Sequence, residues 1–441
     1  MTKVLFANPP WWDISEQYLR CGVRAGSRWP FTMPANAMPG EFKFGGYLPY
    51  PFFLGYAATY AAANTTADVR FRDSIALRET YQQFTDYLAA ERFDFVFLET
   101  ATPSWQHDAQ VVRLIRQTLP DCRIVITGPI TTTKSDEILG TLPVHACIRG
   151  EYEKNAVKVI EGASGVIDFD LMTVAEMNAA PPPYIDETIA HRYFDYNPIG
   201  QQYPHAHVWS SRGCPYKCVF CVWPATMTGN DPDGESVRRV RHYSPDYMEA
   251  YLTDIVSRYG FKSIYFDDDT FNLGNSHVVK MCEVMRKVGV PWSAMCRADT
   301  SKMETWALMK ESGCFGVKLG FESGSQYVVD KIVNKHLDLE YGREVVHELK
   351  RLGMTVHGTF TVGLPGETRE QMQETLAFIE SLPLDSHQLS GTAEIEGTPL
   401  HTLRTAGHLD AYEGASMDAN SQMHTDGNKR FAMLAEELRN S

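Results

Sequence analysis

Short apolar runs alternate with amphipathic helical patterns along most of the chain. Within residues 1–165 the runs KVLFAN, FDFVFLE, RIVIT and VHACI predict strands, and segments such as YQQFTDYLAAE between them predict helices. This alternation is typical of βαβ units, which build a parallel sheet that binds ligands at the carboxyl ends of its strands. The pattern therefore predicts an α/β domain over residues 1–165, with Asn8, Glu99–Ser104, Gly128–Pro129 and Gly150–Glu151 along one rim.

The pattern changes twice after residue 165. Residues 166–204 contain NAAPPPYID and DYNPIGQQYP, which predict a proline-rich linker. Over residues 205–400 the alternation resumes, with strand-like runs HAHVWSS, SIYFDDD, WSAMCRAD, GVKLGFESG, TVHGTFTVGLPG and SHQLSGTAEI. These runs predict a partial (β/α)6 barrel of the TIM type, with function at the carboxyl ends of its strands. Residues 401–441 predict a polar C-terminal tail.

Composition and charge exclude several classes of protein. A net charge of −14 argues against a nucleic-acid partner, because phosphate binding depends on lysine and arginine, and it is compatible with a cationic substrate. No stretch approaches the ~20 apolar residues of a membrane span and no signal-like run opens the chain. Nine scattered cysteines fit thiols and metal ligands in a reducing compartment better than a disulfide framework. We therefore expect a cytoplasmic protein with no membrane partner.

The segment SSRGCPYKCVFCVWP holds three cysteines, Cys214, Cys218 and Cys221, directly after a predicted strand. A structural zinc site would need a fourth ligand, for which His205 or His207 is available. A redox disulfide between Cys218 and Cys221 would leave Cys214 unexplained. An iron–sulfur cluster held by three thiolates would leave one iron open, and an open metal position is where chemistry takes place.

The run CPYKCVFC resembles the cysteine motif of the radical SAM superfamily, in which the open iron of a 4Fe-4S cluster binds S-adenosylmethionine. YFDDDTF, MCRAD, KLGFESGS, TVGLPGET and EGTPL resemble the later strand-end segments of that superfamily. Taken one at a time, these residues are equally compatible with a helix N-cap, a solvated acid or simple turns. The resemblance assigns seven residues to S-adenosylmethionine: Asp268 and Asp269 near the methionine amino group, Arg297 at the methionine carboxylate, Glu322 and Ser323 at the ribose, and Phe220 and Gly363 beside adenine.

The first domain resembles the Rossmann-like cobalamin-binding-type domain that precedes the barrel in one radical SAM branch. The D-x-H-x-x-G motif that supplies a histidine to cobalt is absent. A long insert carries Trp11, Trp12, Trp29 and Phe31, whose rings could fill a corrin cleft, form its lower wall, or pack between domains. The compact layout resembles the radical diol-dehydratase of aminoglycoside biosynthesis, which does not use cobalamin, and we therefore expect cobalamin to be absent.

The resemblance implies a 5′-deoxyadenosyl radical that abstracts hydrogen from a vicinal diol of a cationic amino sugar, which then loses water in antibiotic biosynthesis. The partners implied are a flavodoxin- or ferredoxin-type electron donor and a downstream reductase. The alternatives are cobalamin-dependent C-methylation and a radical cyclisation or rearrangement. Iron–sulfur storage would leave the charged strand ends unexplained. Candidate catalytic residues are Tyr216 in the cysteine loop, Glu394 and Glu396 on the sixth predicted strand, and His205 and His207 on the first; alternation places each of these two pairs on one face.

Overall fold

The structure is a computed structural model that describes residues 1–10, 12–14, 18–21, 31–34 and 47–407, apart from residues 196, 230, 232, 233 and 393. For the strands within residues 12–34 and for Tyr47 it describes the backbone. The aromatic insert proposed as a corrin wall or cleft filler, with Trp11, Trp12, Trp29 and Phe31, therefore lies outside the described side chains. Residues 408–441 of the predicted tail also lie outside the described part of the chain.

The amino-terminal part is built from strands and helices that alternate as the sequence predicts. The strands are β1 (Lys3–Asn8), β2 (Trp12–Ile14), β3 (Tyr18–Cys21), β4 (Phe31–Pro34), β5 (Tyr47–Leu48), β6 (Asp68–Asp73), β7 (Phe95–Glu99), β8 (Arg123–Thr127), β9 (Ala146–Ile148) and β10 (Gly165–Ile167). The helices are α1 (Phe52–Asn64), α2 (Ser74–Leu77), α3 (Tyr81–Glu91), α4 (Trp105–Thr118), α5 (Ile130–Thr141), α6 (Glu153–Ile160) and α7 (Val174–Ala179), with a 3₁₀ turn at Thr102–Ser104.

Six of these strands form one parallel sheet in the order β10-β9-β8-β7-β1-β6. The strand order reverses beside β1, so the crevice between the ends of β1 and β7 is the topological switch point, where open α/β sheets bind ligands. Strands β2, β3 and β4 form a separate antiparallel sheet, and β5 pairs antiparallel with β11 (Phe194–Asp195). The predicted α/β class of the first domain is confirmed.

Helix α1 is apolar nearly all round because it lies between the two halves of the protein. Its Phe52 ring stacks on Trp209 of the second half, with centroids 4.2 Å apart. Phe53, on the same helix, lies 4.9 Å from the ring of Trp223. A surface helix would show a polar face, whereas α1 is covered on both sides.

The carboxy-terminal part contains a second set of alternating elements. The strands after β11 are β12 (His205–Val208), β13 (Ser211–Arg212), β14 (Arg241–His242), β15 (Ser263–Phe266), β16 (Trp292–Cys296), β17 (Cys314–Glu322), β18 (Thr355–Val362) and β19 (Ser386–Gly391). The helices are α8 (Pro245–Tyr259), α9 (Asn275–Val288), α10 (Met303–Glu311), α11 (Leu339–Arg351), α12 (Arg369–Ser381) and α13 (Pro399–Thr405). Short 3₁₀ turns lie at Ala190–Arg192 and Ala298–Thr300, and π-helical turns at Pro224–Gly229 and Val328–Ile332.

Six strands of this part form a parallel sheet in the order β12-β15-β16-β17-β18-β19, as the partial-barrel prediction requires. Local signals set the helix ends. The hydroxyl of Ser244 accepts the Tyr247 N–H at the start of α8, and Gly260 ends that helix with φ 68°. Strand β13 pairs antiparallel with β14, outside the main sheet.

The segment predicted as a linker, residues 166–204, is integrated into both halves. Strand β10 completes the first sheet, so a domain boundary at residue 165 cuts through it. Residues 194–195 and 197–204 close the amino-terminal end of the barrel. There the Asn197 side chain accepts a hydrogen bond from the Ser386 hydroxyl at 3.2 Å, and the Ile199 carbonyl accepts one from Thr355 Oγ1 at 2.6 Å. We call this closed end the floor of the barrel and the opposite, carboxyl end its rim.

Among the described residues, no helix combines the length and the apolar character needed to cross a bilayer.

Candidate active site at the barrel rim

The loop with the three cysteines begins directly after β13, at the barrel rim. Its backbone is fixed from several sides. The Val219 N–H donates to Val333 O at 3.0 Å, and the Leu400 N–H donates to Val219 O at 2.9 Å. Arg238 donates to the carbonyl of Tyr216 at 2.8 Å. A loop held in this way keeps its side chains in place without a bound ligand.

The three thiols lie close enough to interact electrostatically with one another, and no disulfide joins them. Burial raises the pKa of Cys214 to about 11 and raises the pKa of Cys218 and Cys221 as well; beside Cys218, Lys335 opposes the rise. Within the described ranges, no three His, Cys, Asp or Glu side chains converge as ligands of one metal ion. Such convergence suits zinc, whereas the thiolates of a four-iron cluster bind separate irons.

The carboxylates of Asp268 and Asp269 both bind the segment that leads into the cysteine loop. Asp268 accepts from the Ser210 N–H at 3.1 Å and from the Ser211 hydroxyl at 2.5 Å. Asp269 accepts from the Gly213 N–H at 3.0 Å. Burial raises the pKa of Asp268 to about 7 and that of Asp269 to about 6. The structure thus gives both acids a role in holding the loop, and contact with a methionine amino group stays a prediction.

Arg297 forms a two-pronged ion pair with Asp299, with Nε 2.5 Å and Nη2 2.9 Å from its two oxygens. Its guanidinium also donates to the Lys335 carbonyl at 2.6 Å and lies 3.7 Å from the centre of the Tyr216 ring. Two of the predicted site residues, Arg297 and Tyr216, are therefore in direct contact. Asp299 binds the Nε and Nη2 atoms of Arg297. A ligand carboxylate at Arg297, which the resemblance predicts, would have to share the guanidinium with Asp299.

Glu322 ends β17 with a left-handed φ of 70°, at a bulge in the pairing with β18. Its Oε1 accepts from Lys335 Nζ at 2.7 Å, and both side chains are largely buried. The positive charge of Lys335 also acts on Cys218. Sequence analysis missed Lys335 because it lies in an irregular turn, and only the fold brings it to the end of β17.

Three further predicted residues lie at the same rim with different environments. Phe220 packs with Cys218 against Val333 and Leu364. Gly363, with φ 75°, donates its N–H to Glu367 at 2.7 Å. The hydroxyl of Ser323 is buried and lies 2.9 Å from Thr375 Oγ1 on α12. In this structure the Ser323 side chain therefore binds α12, and its contact with a ribose stays a prediction.

Glu394 and Glu396 are not on the sixth strand, because β19 ends at Gly391. The polar, glycine-containing run that follows leaves the sheet, and both acids lie in the loop before α13. Glu394 pairs with His401 at 2.9 Å and with Arg404 at 2.8 Å, both on α13. Glu396 lies 3.1 Å from Lys134 of α5, so it joins the two halves of the protein. The prediction that alternation on a strand aligns them is wrong.

His205 and His207 lie on one face of β12, as alternation predicts, with their Nε2 atoms 3.1 Å apart. The Asp195 N–H donates to His205 Nε2 at 2.8 Å, and burial lowers the pKa of His205 to about 4. His205 opens β12, at the floor and so at the opposite end of the strand from the cysteine loop. The structure does not bring this pair to the rim, so it does not support their prediction as a base beside the radical carbon.

The rim fits a cluster and S-adenosylmethionine by the chemistry of its groups. Three thiols stand without disulfides beside the cationic side chains Lys335, Arg297 and Arg238. Carboxylates suit an ammonium and sugar hydroxyls, and cations suit a carboxylate. Because the thiols are neutral when free, cluster binding must release their protons.

The described rim of the first sheet also offers ligand-binding atoms. Thr102 Oγ1, just after β7 at the switch point, is buried and has no partner among the described residues. The neighbouring Thr100 and Thr127 hydroxyls donate to backbone carbonyls at 2.6 Å and 3.1 Å and are used internally. A corrin at this crevice would therefore contact Thr102 and the segments that follow β1 and β7.

Residues 210–379 match the family model described as the radical SAM superfamily. The rim with its cysteine loop lies in this range, and the fold agrees. Residues 210–379, which carry the cysteine loop, are therefore similar to the radical SAM superfamily, whose members carry a 4Fe-4S cluster and use S-adenosylmethionine.

Among curated proteins, the chain is similar to an uncharacterised methyltransferase of Pyrococcus horikoshii, at 28% identity over 81% of this chain and 79% of that protein. It is also similar to the cytidylyl-2-hydroxyethylphosphonate methyltransferase of Streptomyces wedmorensis, at 27% identity over 52% of this chain and 44% of that protein. The anaerobic magnesium-protoporphyrin IX monomethyl ester cyclase of Rubrivivax gelatinosus is 24% identical over 77% of this chain and 63% of that protein.

Two solved structures have a similar fold. The radical S-adenosylmethionine methyltransferase TsrM of Kitasatospora setae, with cobalamin and a [4Fe-4S] cluster bound, aligns with a TM-score of 0.62 at 15% identity, over 83% of this chain and 77% of that one. The cobalamin-dependent radical enzyme OxsB with aqua-cobalamin aligns with a TM-score of 0.58 at 15% identity, over 89% and 64%. The curated relatives favour methyl transfer over the predicted dehydration, and the expectation that cobalamin is absent gains no support.

Proposed function

We propose that this protein is a cobalamin-dependent radical SAM methyltransferase that acts on a carbon atom of a small polar substrate. Methyl transfer here replaces the dehydration that the sequence analysis favours. It is the first of the alternatives given there. The amino sugar and the flavodoxin- or ferredoxin-type electron donor remain part of the proposal; a downstream reductase does not, because methylation leaves no dehydrated product to reduce.

The observation that carries this proposal is that the carboxyl ends of the two parallel sheets face each other. Helix α5 begins just after β8, and its Thr132 donates to the Thr226 carbonyl behind the cysteine loop at 3.0 Å. Lys134, on the same turn of α5, pairs with Glu396, which follows the last barrel strand. Ligands bound at the two sheet ends would therefore lie across one interface.

Relatives support the same reading. Two curated relatives are named as methyltransferases, and the two solved structures of similar fold hold cobalamin. Likeness at 15% identity supports the fold of a corrin-binding domain and carries no residue assignments. The Thr102 hydroxyl at the switch point is buried and has no partner among the described residues, which adds support from this chain itself.

The chain's own residues have distinct tasks in this reaction. A 4Fe-4S cluster held by Cys214, Cys218 and Cys221 would supply the electron for cleavage of S-adenosylmethionine to methionine and a 5′-deoxyadenosyl radical, to which the substrate would lose a hydrogen atom. Cobalamin held at the carboxyl end of the first sheet would supply the methyl group for the substrate carbon, taken from a second S-adenosylmethionine that is left as S-adenosylhomocysteine. The pairs Lys335–Glu322 and Arg297–Asp299 orient the charged groups of S-adenosylmethionine, and the apolar packing around Phe220 excludes water from the radical.

The proposal is tested on the anaerobically purified, reconstituted chain. Hydroxocobalamin is added, the protein is desalted, and the visible spectrum is recorded. We expect a retained corrin band at one equivalent per chain. We also expect S-adenosylhomocysteine to form from S-adenosylmethionine and reductant only when the corrin is present, because loss of the methyl group leaves that product. A chain that retains no corrin yet makes 5′-deoxyadenosine contradicts methylation and returns the dehydratase.

A further inference from the structure

Four charged side chains meet in the interface between the two sheets. Glu151 and Glu153 follow β9 of the first sheet, and Arg212 and Arg241 are paired residues of β13 and β14. Arg212 Nη1 lies 2.6 Å from Glu153 Oε1 and 3.5 Å from Glu151 Oε1. Arg241 Nη2 lies 2.6 Å from Glu151 Oε1. The Arg212 and both glutamate side chains are at most 2% exposed.

Further contacts fix this cluster, which we call the interface tetrad. Arg212 also donates to the Tyr243 hydroxyl at 2.9 Å, and its guanidinium lies 4.6 Å from the centre of the Tyr56 ring on α1. Glu151 Oε2 accepts from the Met172 N–H at 2.8 Å. Two arginines balance two carboxylates. Burying such charges gains little stability over apolar packing, so stability alone does not explain their presence here.

Charge on the tetrad is shared unevenly. Burial opposes the ionisation of Glu151, but Arg212 and Arg241 outweigh it and hold the pKa of this carboxyl below its usual range. Burial and the neighbouring Glu151 raise the pKa of Glu153. Removal of Arg212 therefore leaves two buried acids with one arginine, and the interface must rearrange or take up a proton.

A short covalent path leads from the tetrad to the first cluster ligand. Arg212 precedes Gly213, and Gly213 precedes Cys214. Gly213 has φ 89°, and a Cβ at this position would lie 2.6 Å from the carbonyl of Arg239, which precedes β14. The Gly213 N–H is tied to Asp269. Because the backbone between Arg212 and Cys214 is held in place at Gly213, displacement of Arg212 also displaces Cys214.

We propose that Arg212 is a positioning residue that sets the distance between the cluster-binding loop and the carboxyl end of the first sheet. This inference rests on the proposed function in one respect, namely that the group at the first sheet is a corrin. The positioning itself concerns only this chain's residues and the cluster.

The test compares Arg212→Met and Arg212→Lys with the parent chain. Arg72→Met serves as the matched control, because Arg72 makes a two-pronged pair with Glu79 inside the first domain. A gadolinium(III) chelate, which dithionite does not reduce, is attached to Glu137→Cys on α5 after cluster reconstitution, in a Cys21→Ser background. Pulsed EPR then measures the distance from the label to the reduced cluster.

We expect one narrow distance distribution in the parent chain and in Arg72→Met, a shifted or broadened one in Arg212→Met, and an intermediate one in Arg212→Lys. S-adenosylhomocysteine formation should fall about 100-fold in Arg212→Met, as for a misplacement of about 1 Å, while 5′-deoxyadenosine formation changes less than about threefold. A merely structural residue would lower both products together, in parallel with the melting temperature.

An unchanged distance distribution in Arg212→Met overturns the inference, as does equal broadening in Arg72→Met. If Arg212→Met fails to fold, Arg212→Lys decides by the same measurement, since a lysine can pair with only one of the two acids at a time. If the parent chain retains no corrin and makes no S-adenosylhomocysteine, the proposed function fails, and the distance measurement still decides whether Arg212 positions the loop.

Discussion

The two ends of the barrel both bury clusters of titratable side chains, but the cysteine loop lies at one of them, the rim. At the rim, the cysteine loop faces the first domain, and its three thiols lie near the pairs Lys335–Glu322 and Arg297–Asp299. At the floor, Lys318 pairs with Asp195, and the His205–His207 pair lies beside them. Both ends therefore hold a buried ion pair beside further titratable side chains.

The difference lies in what covers each end. Residues 194–195 and 197–204 cover the floor, and two of their backbone groups bind polar side chains there: the Asp195 N–H donates to His205 Nε2, and the Gln202 carbonyl accepts from the Ser263 hydroxyl at 2.7 Å. A cavity of about 20 Å³ beside His205 holds no more than one water. The rim instead faces the first domain across an interface. Buried charge alone therefore does not locate a site, and the position of the cysteine loop distinguishes the rim from the floor.

The largest expected effect distinguishes the thiols of the cysteine loop from the other thiols of the chain. Cys218→Ala should abolish the brown iron–sulfur absorbance and reduce 5′-deoxyadenosine formation by more than about 100-fold, because a cluster ligand is lost. Iron content and product analysis measure both. Cys122→Ala, a buried thiol of the first domain, is the control and should keep its cluster. Retained activity in Cys218→Ala would show that the cysteine loop is not the site.

Loss of Lys335 should affect both stability and ligand binding. Lys335→Met leaves Glu322 buried without its partner, which costs about 3 kcal/mol of unfolding free energy. Affinity for S-adenosylmethionine should fall at least about tenfold, measured by equilibrium dialysis on the reconstituted chain. Lys350→Met breaks a more exposed pair with Asp385 and should cost less than about 1 kcal/mol. Unchanged affinity in Lys335→Met would remove Lys335 from the binding site.

The same kind of change at the floor should affect stability without affecting binding. Lys318→Met leaves Asp195 unpaired and should cost about 2–3 kcal/mol in urea unfolding, whereas the double variant Lys318→Met/Asp195→Leu should regain most of it. Cluster content and S-adenosylmethionine affinity should match the parent chain. If this floor variant lost ligand affinity as Lys335→Met does, the contrast between the two ends would collapse.

His205 should make stability depend on pH. Burial lowers its pKa in the folded chain to about 4, so between pH 4 and its ordinary value near 6.5 the unfolded chain binds more protons. Stability from this group is full above pH 6.5 and is lost as the pH falls toward 4, by on the order of 3 kcal/mol. Urea unfolding of the cluster-free chain should show a flatter pH profile in His205→Gln. An identical slope in both chains would contradict the buried, neutral state of His205.

The smallest effect is expected at Glu394. Glu394→Gln loses partly exposed ion pairs with His401 and Arg404 and should cost less than about 1 kcal/mol, with 5′-deoxyadenosine formation within about twofold of the parent chain. A loss of product far beyond the loss of stability would return Glu394 to the catalytic residues, as the sequence prediction has it.

Sequence analysis placed the strands well and the catalytic acids and bases poorly. The β/α alternation and the rim position of Asn8, Glu99 and Glu151 follow from periodicity, which is a local property of the chain. The misplacement of Glu394 and Glu396 arose because the run SHQLSGTAEI reads as one strand although β19 stops at Gly391. The error for His205 and His207 was different: their shared face was right, but sequence does not say which end of a strand is sealed.

By itself, the sequence indicated the likeness to radical SAM enzymes, because three cysteines in one short loop and a series of strand-end motifs are local patterns that can be read without knowledge of the fold. Only the tertiary structure decided which charges meet. Lys335 reaches Glu322 through an irregular turn, and Glu151 and Glu153 reach Arg212 across the interface between the two sheets. Such pairs are set by how whole elements pack, and packing depends on contacts between residues far apart in the chain that no local spacing encodes.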